Sequence, residues 1–237
     1  MATVFEISAN MAMFRKPYTT TSSISYAFPP PTAIAGLICA IVGISNGSHI
    51  DSCSANYWEK LKGTKVSLSI CSNLEWMRHS INFWNVKNPK KSPHIQVKHQ
   101  FLRNPKYRIF VAGGIEPSLR HQLEKGYFVY TPYLGVAYAL ANINYIGTYD
   151  SEKVNTAFVT PDTVVPWCDD LKLGNVVDMG GVFKEQVPFQ MDNRRALMKS
   201  ISVLYPPTSE TKVSIIEKGS LDVTRCGEHL VAWFPEW

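Results

Sequence analysis

Eight Lys or Arg side chains and no Asp or Glu fall within residues 76–110, and the same stretch holds Trp76, Phe83, Trp84, Phe101, Tyr107 and Phe110. Basic side chains neutralise phosphates and release the counterions condensed on them. Aromatic rings stack on unpaired bases. Together they point to a surface for single-stranded nucleic acid. The plainer reading of any one of them is a solvated Lys or a core ring, but 35 residues without a carboxylate favour a polyanionic partner. The bias belongs to this region: the net charge is −1 over residues 1–59, +10 over 60–125 and −4 over 126–237, within a total of +5.

Other chemistries find little support. The histidines (His49, His79, His94, His99, His121, His229) lack metal-ligand spacing. The cysteines (Cys39, Cys53, Cys71, Cys168, Cys226) are odd in number, with no CxxC pair, so neither a disulfide framework nor a zinc site is expected. Cys39 reads as a small hydrophobe, and the compartment as a reducing cytoplasm. There is no GxxxxGK, GxGxxG, HExxH or nucleophile elbow, and no RNP1 aromatic pattern. No metal and no cofactor are therefore expected. Asn46-Gly47-Ser48 matches a glycosylation sequon and reads as a turn.

With 237 residues, 45% of them hydrophobic, the chain can bury a sizeable core and is too apolar for intrinsic disorder. Its longest dense apolar run, Ala33–Ile44, is short of a membrane span, and Met-Ala-Thr-Val-Phe-Glu lacks the basic start of a signal peptide.

The charged stretch must be positioned by regular elements. Thr3–Ala9 alternates as a strand, and Asn10–Pro29 reads as an ordered loop. Pro29-Pro30-Pro31-Thr32 leads into a helix over Ala33–Val42, with Thr32 as its cap. Small residues (Ala33, Ala35, Gly36, Ala40) let a sheet, or a phosphate backbone near the helix N-terminus, approach closely. Thr64–Cys71 is a second strand. Glu75–Val97 shows no clear period, carries many turn formers, and reads as a long protruding hairpin or loop. Tyr107–Ala112 is a third strand, Pro117–Lys125 a helix stopped by Gly126, and Tyr127–Thr131 a fourth strand. This order predicts an α+β, ferredoxin-like domain over 1–131 with a thumb insertion at about 75–100. Short strands at Ile143–Tyr149, Asn155–Val159, Ala196–Tyr205 and Val213–Glu217 make 132–237 a smaller, mostly β part. Trp233, Phe234, Pro235 and Trp237 are placed either to meet a partner or to pack on that part.

Three blocks, in order, resemble the Cas-five family of type I CRISPR Cascade subunits. They are Phe14-Arg15-Lys16 with Ser25-Tyr26-Ala27-Phe28-Pro29-Pro30-Pro31-Thr32-Ala33-Ile34-Ala35-Gly36-Leu37, then Phe101-Leu102-Arg103-Asn104-Pro105-Lys106-Tyr107-Arg108-Ile109-Phe110-Val111, and Pro132-Tyr133-Leu134-Gly135. The flavour is closest to the I-B subtype. The resemblance implies a repeat-associated (RAMP) ferredoxin-like core with a thumb over RNA. It implies a non-catalytic subunit that holds the 5′ handle of the crRNA, caps a Cas-seven filament, contacts the Cas-eight large subunit and holds target DNA through the complex, in antiviral defence. The RNA-contacting residues so expected are Arg15, Lys16, Tyr18, Tyr26 and Gly36, then Trp84, Lys87, Lys90 and Lys91 on the thumb, and Lys98, His99, Arg103, Lys106 and Arg108 below it. Arg108 is the weakest of these, since strand alternation can turn it to the far face.

Relatives of the I-C subtype cut the guide precursor without metal, using a Tyr, a Lys and a His. Tyr26, Lys98 and His99 fall at matching places, so an endoribonuclease is the alternative. Adjacent residues of a strand point to opposite faces, so Lys98 and His99 can cooperate only from a loop or bulge.

Overall fold

The computed structural model describes residues 1–19, 22–47, 55 and 57–237; His49, Cys53 and Ser48 of the sequon lie outside the described residues. The chain order is strand β1 (Ala2–Ser8), helix α1 (Pro31–Val42), β2 (Thr64–Ile70), a hairpin of β3 (Glu75–Trp84) and β4 (His94–Arg103), β5 (Lys106–Gly113), helix α2 (Glu116–Lys125) and β6 (Asn142–Tyr149). Four of these strands form an antiparallel sheet in the order β6-β1-β5-β2.

The fourth strand is therefore Asn142–Tyr149 and not Tyr127–Thr131. Segment 127–131 is irregular because its amides are used elsewhere. Val129 N–H donates to Ile41 O (3.3 Å) and Tyr130 N–H to Ala40 O (2.9 Å), capping carbonyls that the last turn of α1 leaves free. The first sheet thus takes its edge strand from beyond residue 131. Asn155–Val159 is not a strand either; only Val159 bridges, to Ile215. At the other end of α1, the cap is Pro30 rather than Thr32. Pro31 occupies the first helical position, where its missing N–H costs nothing.

Alternation along the central strands buries both sheet faces. Phe5 and Ile7 of β1, Val66 and Leu68 of β2, and Tyr107, Ile109 and Val111 of β5 join Ile34, Ile38, Ile41, Leu119 and Leu123 of the helices in one core. Thr3, on that same face, donates to buried Glu116 at the start of α2 (2.5 Å). On the opposite face, Ala2, Val4 and Phe110 pack against Cys226, Val231 and Trp233. These last residues come from or follow a small hairpin, β9 (Val223–Cys226) and β10 (His229–Ala232), preceded by a longer one of β7 (Phe183–Met191) and β8 (Leu197–Tyr205).

The C-terminal aromatics pack on their own chain. Trp233, Phe234 and Trp237 are all buried. Phe234 N–H donates to Val66 O (3.0 Å) and Trp237 N–H to Thr64 O (3.2 Å), covering the otherwise open edge of β2. Among the described residues, no helix is long and apolar enough to cross a membrane.

Gly135, from the third sequence block, adopts φ +82°, and a Cβ there would collide with the Met13 carbonyl and touch the Phe14 ring. Gly135→Ala is expected to destabilise the chain by about 2 kcal/mol or more, through left-handed strain plus the clash. Urea denaturation of the variant beside the parent chain checks it.

Candidate nucleic-acid interface

The β3–β4 hairpin pairs in unbroken register from Glu75 opposite Arg103 to Trp84 opposite His94. Ten residues at about 3.3 Å each make arms roughly 33 Å long. The period that the sequence conceals is present. One face carries Met77, Ile81 and Phe83 beside Ile95, Val97, His99 and Phe101, with His79 among them and Glu75 opposite Arg103 at its base, and His99 stacks on Phe83 (5.7 Å) and on Phe101 (5.9 Å). The other carries Arg78, Ser80, Asn82 and Trp84 beside His94, Gln96, Lys98 and Gln100. Trp76 and Trp84 at its two ends mask the alternation in the sequence. Trp84 is 61% exposed and meets His94 edge-on at 5.6 Å. The turn closes through Asn85 N–H to Pro93 O (2.8 Å) and Ser92 N–H to Asn88 O (3.1 Å), leaving Lys87, Lys90 and Lys91 exposed at the tip.

Short ladders tie the hairpin base to the N-terminal loop. Ser22–Ser23 run parallel to Lys98–His99, Met11–Ala12 pair with Arg103–Leu102, and Phe14–Arg15 pair with Tyr26–Ser25. Lys98 is exposed on the polar face. His99 is buried on the apolar face, with Nδ1 2.9 Å from Val97 O. No bulge separates them, so the two point to opposite sides of the hairpin. Tyr26 is buried, and burial, reinforced by the Glu185 carboxylate, pushes its hydroxyl up to about 12.

The expected cations divide into two groups. Lys87, Lys90, Lys91, Lys98 and Arg103 are exposed. Arg15 is exposed too, with Nη2 donating to Thr19 O (2.6 Å), and Tyr18 beyond it is 71% exposed. Lys16, in contrast, is ion-paired with Glu185 and lies over the Tyr26 ring, 5.2 Å from its centroid. Lys106 and Arg108 each hold an oxygen of Glu6 at 2.8 Å, and Arg108 also donates to His229 Nε2 (2.6 Å). Arg108 faces away from the helices, as its alternation allows. Burial would raise the Glu6 carboxyl, but the hydrogen bonds from Lys106 and Arg108 outweigh it and hold the pKa below the usual value. Burial, with the Arg108 charge, holds His229 below 6.5.

Gly36 occupies an open position instead of packing on the sheet: a Cβ there would meet nothing within 4 Å. It lies on the small-residue face of α1, which lines a groove of about 550 Å³ with Tyr57, Tyr130, Tyr133 and Arg195. The sequence reading missed these four. Tyr133 sat inside a block quoted for another reason, and Arg195 comes from the β7–β8 turn, more than 150 residues from α1. Among the described residues, no three His, Cys, Asp or Glu side chains are grouped to hold a metal.

Residues 3–64 match the family model described as CRISPR-associated protein (Cas_Cas5). That segment contains β1, the N-terminal loop and α1. No curated protein matches the chain by sequence. Among solved structures, the chain shares its fold with a chain of a CRISPR RNA-guided surveillance complex (TM-score 0.54, 12% identity, 90% of this chain and 91% of that one). It shares it also with a CRISPR protein from Archaeoglobus fulgidus (0.56, 13%, 98% of each). A chain of the Type III-B Cmr-beta complex bound to cognate target RNA and AMPPnP is similar as well (0.52, 10%, 90% and 86%).

Two predictions separate structural from free charges. Lys16→Ala strands the half-buried Glu185 carboxylate and is expected to cost about 2 kcal/mol of stability, while Lys87→Ala costs close to nothing; paired denaturation curves decide it. On acidification, stability should fall in two stages. The contribution of His229 is full above 6.5 and is lost as the pH falls through its lowered pKa; that of Glu6 is lost below 4.5, as the pH falls through its own. A His229→Phe variant should lose the upper stage in pH-dependent denaturation.

Proposed function

We propose that the chain is a non-catalytic, RNA-binding Cas-five-type subunit of a type I CRISPR effector complex, I-B in flavour, working in the cytoplasm in antiviral defence. The observation that carries this reading is the hairpin. One of its faces presents Arg78, Lys98 and Trp84 among neutral polar side chains, its tip presents three lysines, and no carboxylate lies between Glu75 and the end of β5. Such a surface neutralises a backbone and stacks bases without reading a duplex groove. The family match, and the fold shared with chains of RNA-guided and RNA-bound complexes, support it.

In this reading the sheet and helices are the ferredoxin-like core of the repeat-associated kind, and the hairpin is the thumb. The guide's 5′ handle runs from the polar hairpin face past Arg15 and Tyr18 toward the open side of α1 at Gly36, with Arg103 at the base of the other face. The Cas-seven filament and the large subunit are the protein partners, with target DNA held through the assembly. Lys16, Lys106 and Arg108 serve the architecture more than the RNA, since each is already committed to a carboxylate.

The endoribonuclease alternative requires Lys98 and His99 to act on one phosphodiester. Their regular placement on opposite faces, with His99 buried, speaks against it. Substituting Lys87, Lys90 and Lys91 together by Ala is expected to weaken binding to a repeat-handle RNA and to reduce the log–log salt slope by about 2, at ~0.7 per phosphate contact. Lys98→Ala should weaken binding further, and intact handle RNA should emerge uncut. Equal affinity for a scrambled RNA would overturn the handle-binding role. Cleavage within the repeat, abolished by His99→Ala, would establish the alternative.

A further inference from the structure

The two edges of the four-stranded sheet differ. The β2 edge is closed by its own chain: the Val164, Phe234 and Trp237 amides donate to the Leu68, Val66 and Thr64 carbonyls. Five of the seven β2 residues are buried. Strand β6, at the other edge, pairs with β1 on one side. Among the described residues, no backbone group bonds to Asn142–Tyr149 on its outer side. None of the eight β6 residues is buried. Water serves these outer N–H and C=O groups while the edge stays free.

An open edge is a template for another strand, and chains guard against pairing there with charges, prolines or bulges. The free edge of β3 carries Glu75 and Arg78, and that of β7 carries Lys184, Glu185 and Pro188. Strand β6, Asn-Ile-Asn-Tyr-Ile-Gly-Thr-Tyr, has no charged residue and no proline. Its one guard is a bulge at Ile146, which leaves Asn142–Tyr145 in regular register. Apolar side chains flank that regular stretch in water: Leu140 is 60% exposed and Ile146 39%. The edge chemistry also selects the occupant. Over roughly 26 Å, at about 3.3 Å per residue, alternate residues offer both an N–H donor and a C=O acceptor. An extended polypeptide satisfies both. A nucleic-acid backbone presents phosphates that call for cations, and β6 has no Lys or Arg. A second copy of this chain brings the same bulge and so pairs regularly over four residues at most; a foreign strand is free of that limit.

We propose that β6 is a docking edge for an extended segment of another protein subunit, which adds a fifth strand to the sheet beside Asn142–Tyr145. The segment is low in charge, with apolar side chains that cover Leu140 and Ile146. The inference goes beyond the RNA-binding reading: it uses no residue of the hairpin and stands even where the hairpin binds no RNA.

The test is backbone hydrogen–deuterium exchange, read at single residues. It compares the full chain alone with the assembly that co-purifies with it, by a tag, from its source cells. Alone, alternate amides of Asn142–Tyr145 should exchange freely while those of β2 are protected. In the assembly the same β6 amides should slow by about tenfold or more. Asn144→Lys combined with Ile146→Lys alters two exposed side chains. That variant should unfold as the parent does and lose the added protection. The comparison on the parent chain decides by itself if the variant folds poorly. Unchanged exchange in the assembly, protection intact in the folded variant, or a chain that leaves its source cells with no protein partner overturns the proposal. So does β6 protection produced by adding single-stranded RNA to the isolated chain. Protection that grows with the concentration of the isolated chain assigns the edge to a second copy and overturns it as well.

Discussion

Strand β1 is buried on both faces, and much of the architecture answers that one requirement. Phe5 and Ile7 need the helices on one side; Ala2 and Val4 need a second cover on the other. The β9–β10 hairpin and Trp233 supply the second cover. Because it is there, Glu6 of the same strand lies nearly out of water, 11% exposed at its side chain. A carboxylate in that position must be paired. Lys106 and Arg108, its neighbours across the ladder on β5, do so, and the pairing fixes Arg108 against His229. The C-terminal part is thus a layer of the same structure: Val187, Phe189, Val203, Tyr205, Phe234 and Trp237 belong to the core that α1 and β1 build.

The same logic sorts the basic side chains. Where carboxylates are close, cations are spent on folding: Lys16 on Glu185, Lys65 on Asp222, Lys106 and Arg108 on Glu6. Where the sequence provides no carboxylate, cations stay exposed. Among the described residues, no carboxylate of the acidic C-terminal part pairs with the hairpin lysines, which stay exposed. A separation of charge along the sequence becomes a separation in space only because the insertion stands away from the sheet.

The apolar face of the hairpin keeps that arm in shape. His99 sandwiched between Phe83 and Phe101 gives the ladder a stacked spine, and Arg78 and Lys98 are left on the other side among neutral polar side chains. Phe83 and Ile95 toward the tip stay 44% and 43% exposed. The base is clamped by Met11–Ala12 and Ser22–Ser23, so the loop bearing Arg15 and Tyr18 is registered to the strand bearing Lys98.

Local chemistry in the sequence determined a good deal. Alternation marked β1, β2 and β5; the proline run and Gly126 bounded the helices; the absence of carboxylates over 76–110 marked the hairpin as the charged surface. These are properties of neighbouring residues, and neighbouring residues are enough to read them. Tertiary structure alone decided which β-like segment completes the sheet, because Tyr127–Thr131 had its amides claimed by α1 and Asn142–Tyr149 did not. It also decided which cations are free, since Glu185 reaches Lys16 from 169 residues away. The α1 groove likewise takes Arg195 into the same lining as Gly36. Pairing and burial depend on partners distant in the chain, and no local pattern encodes them.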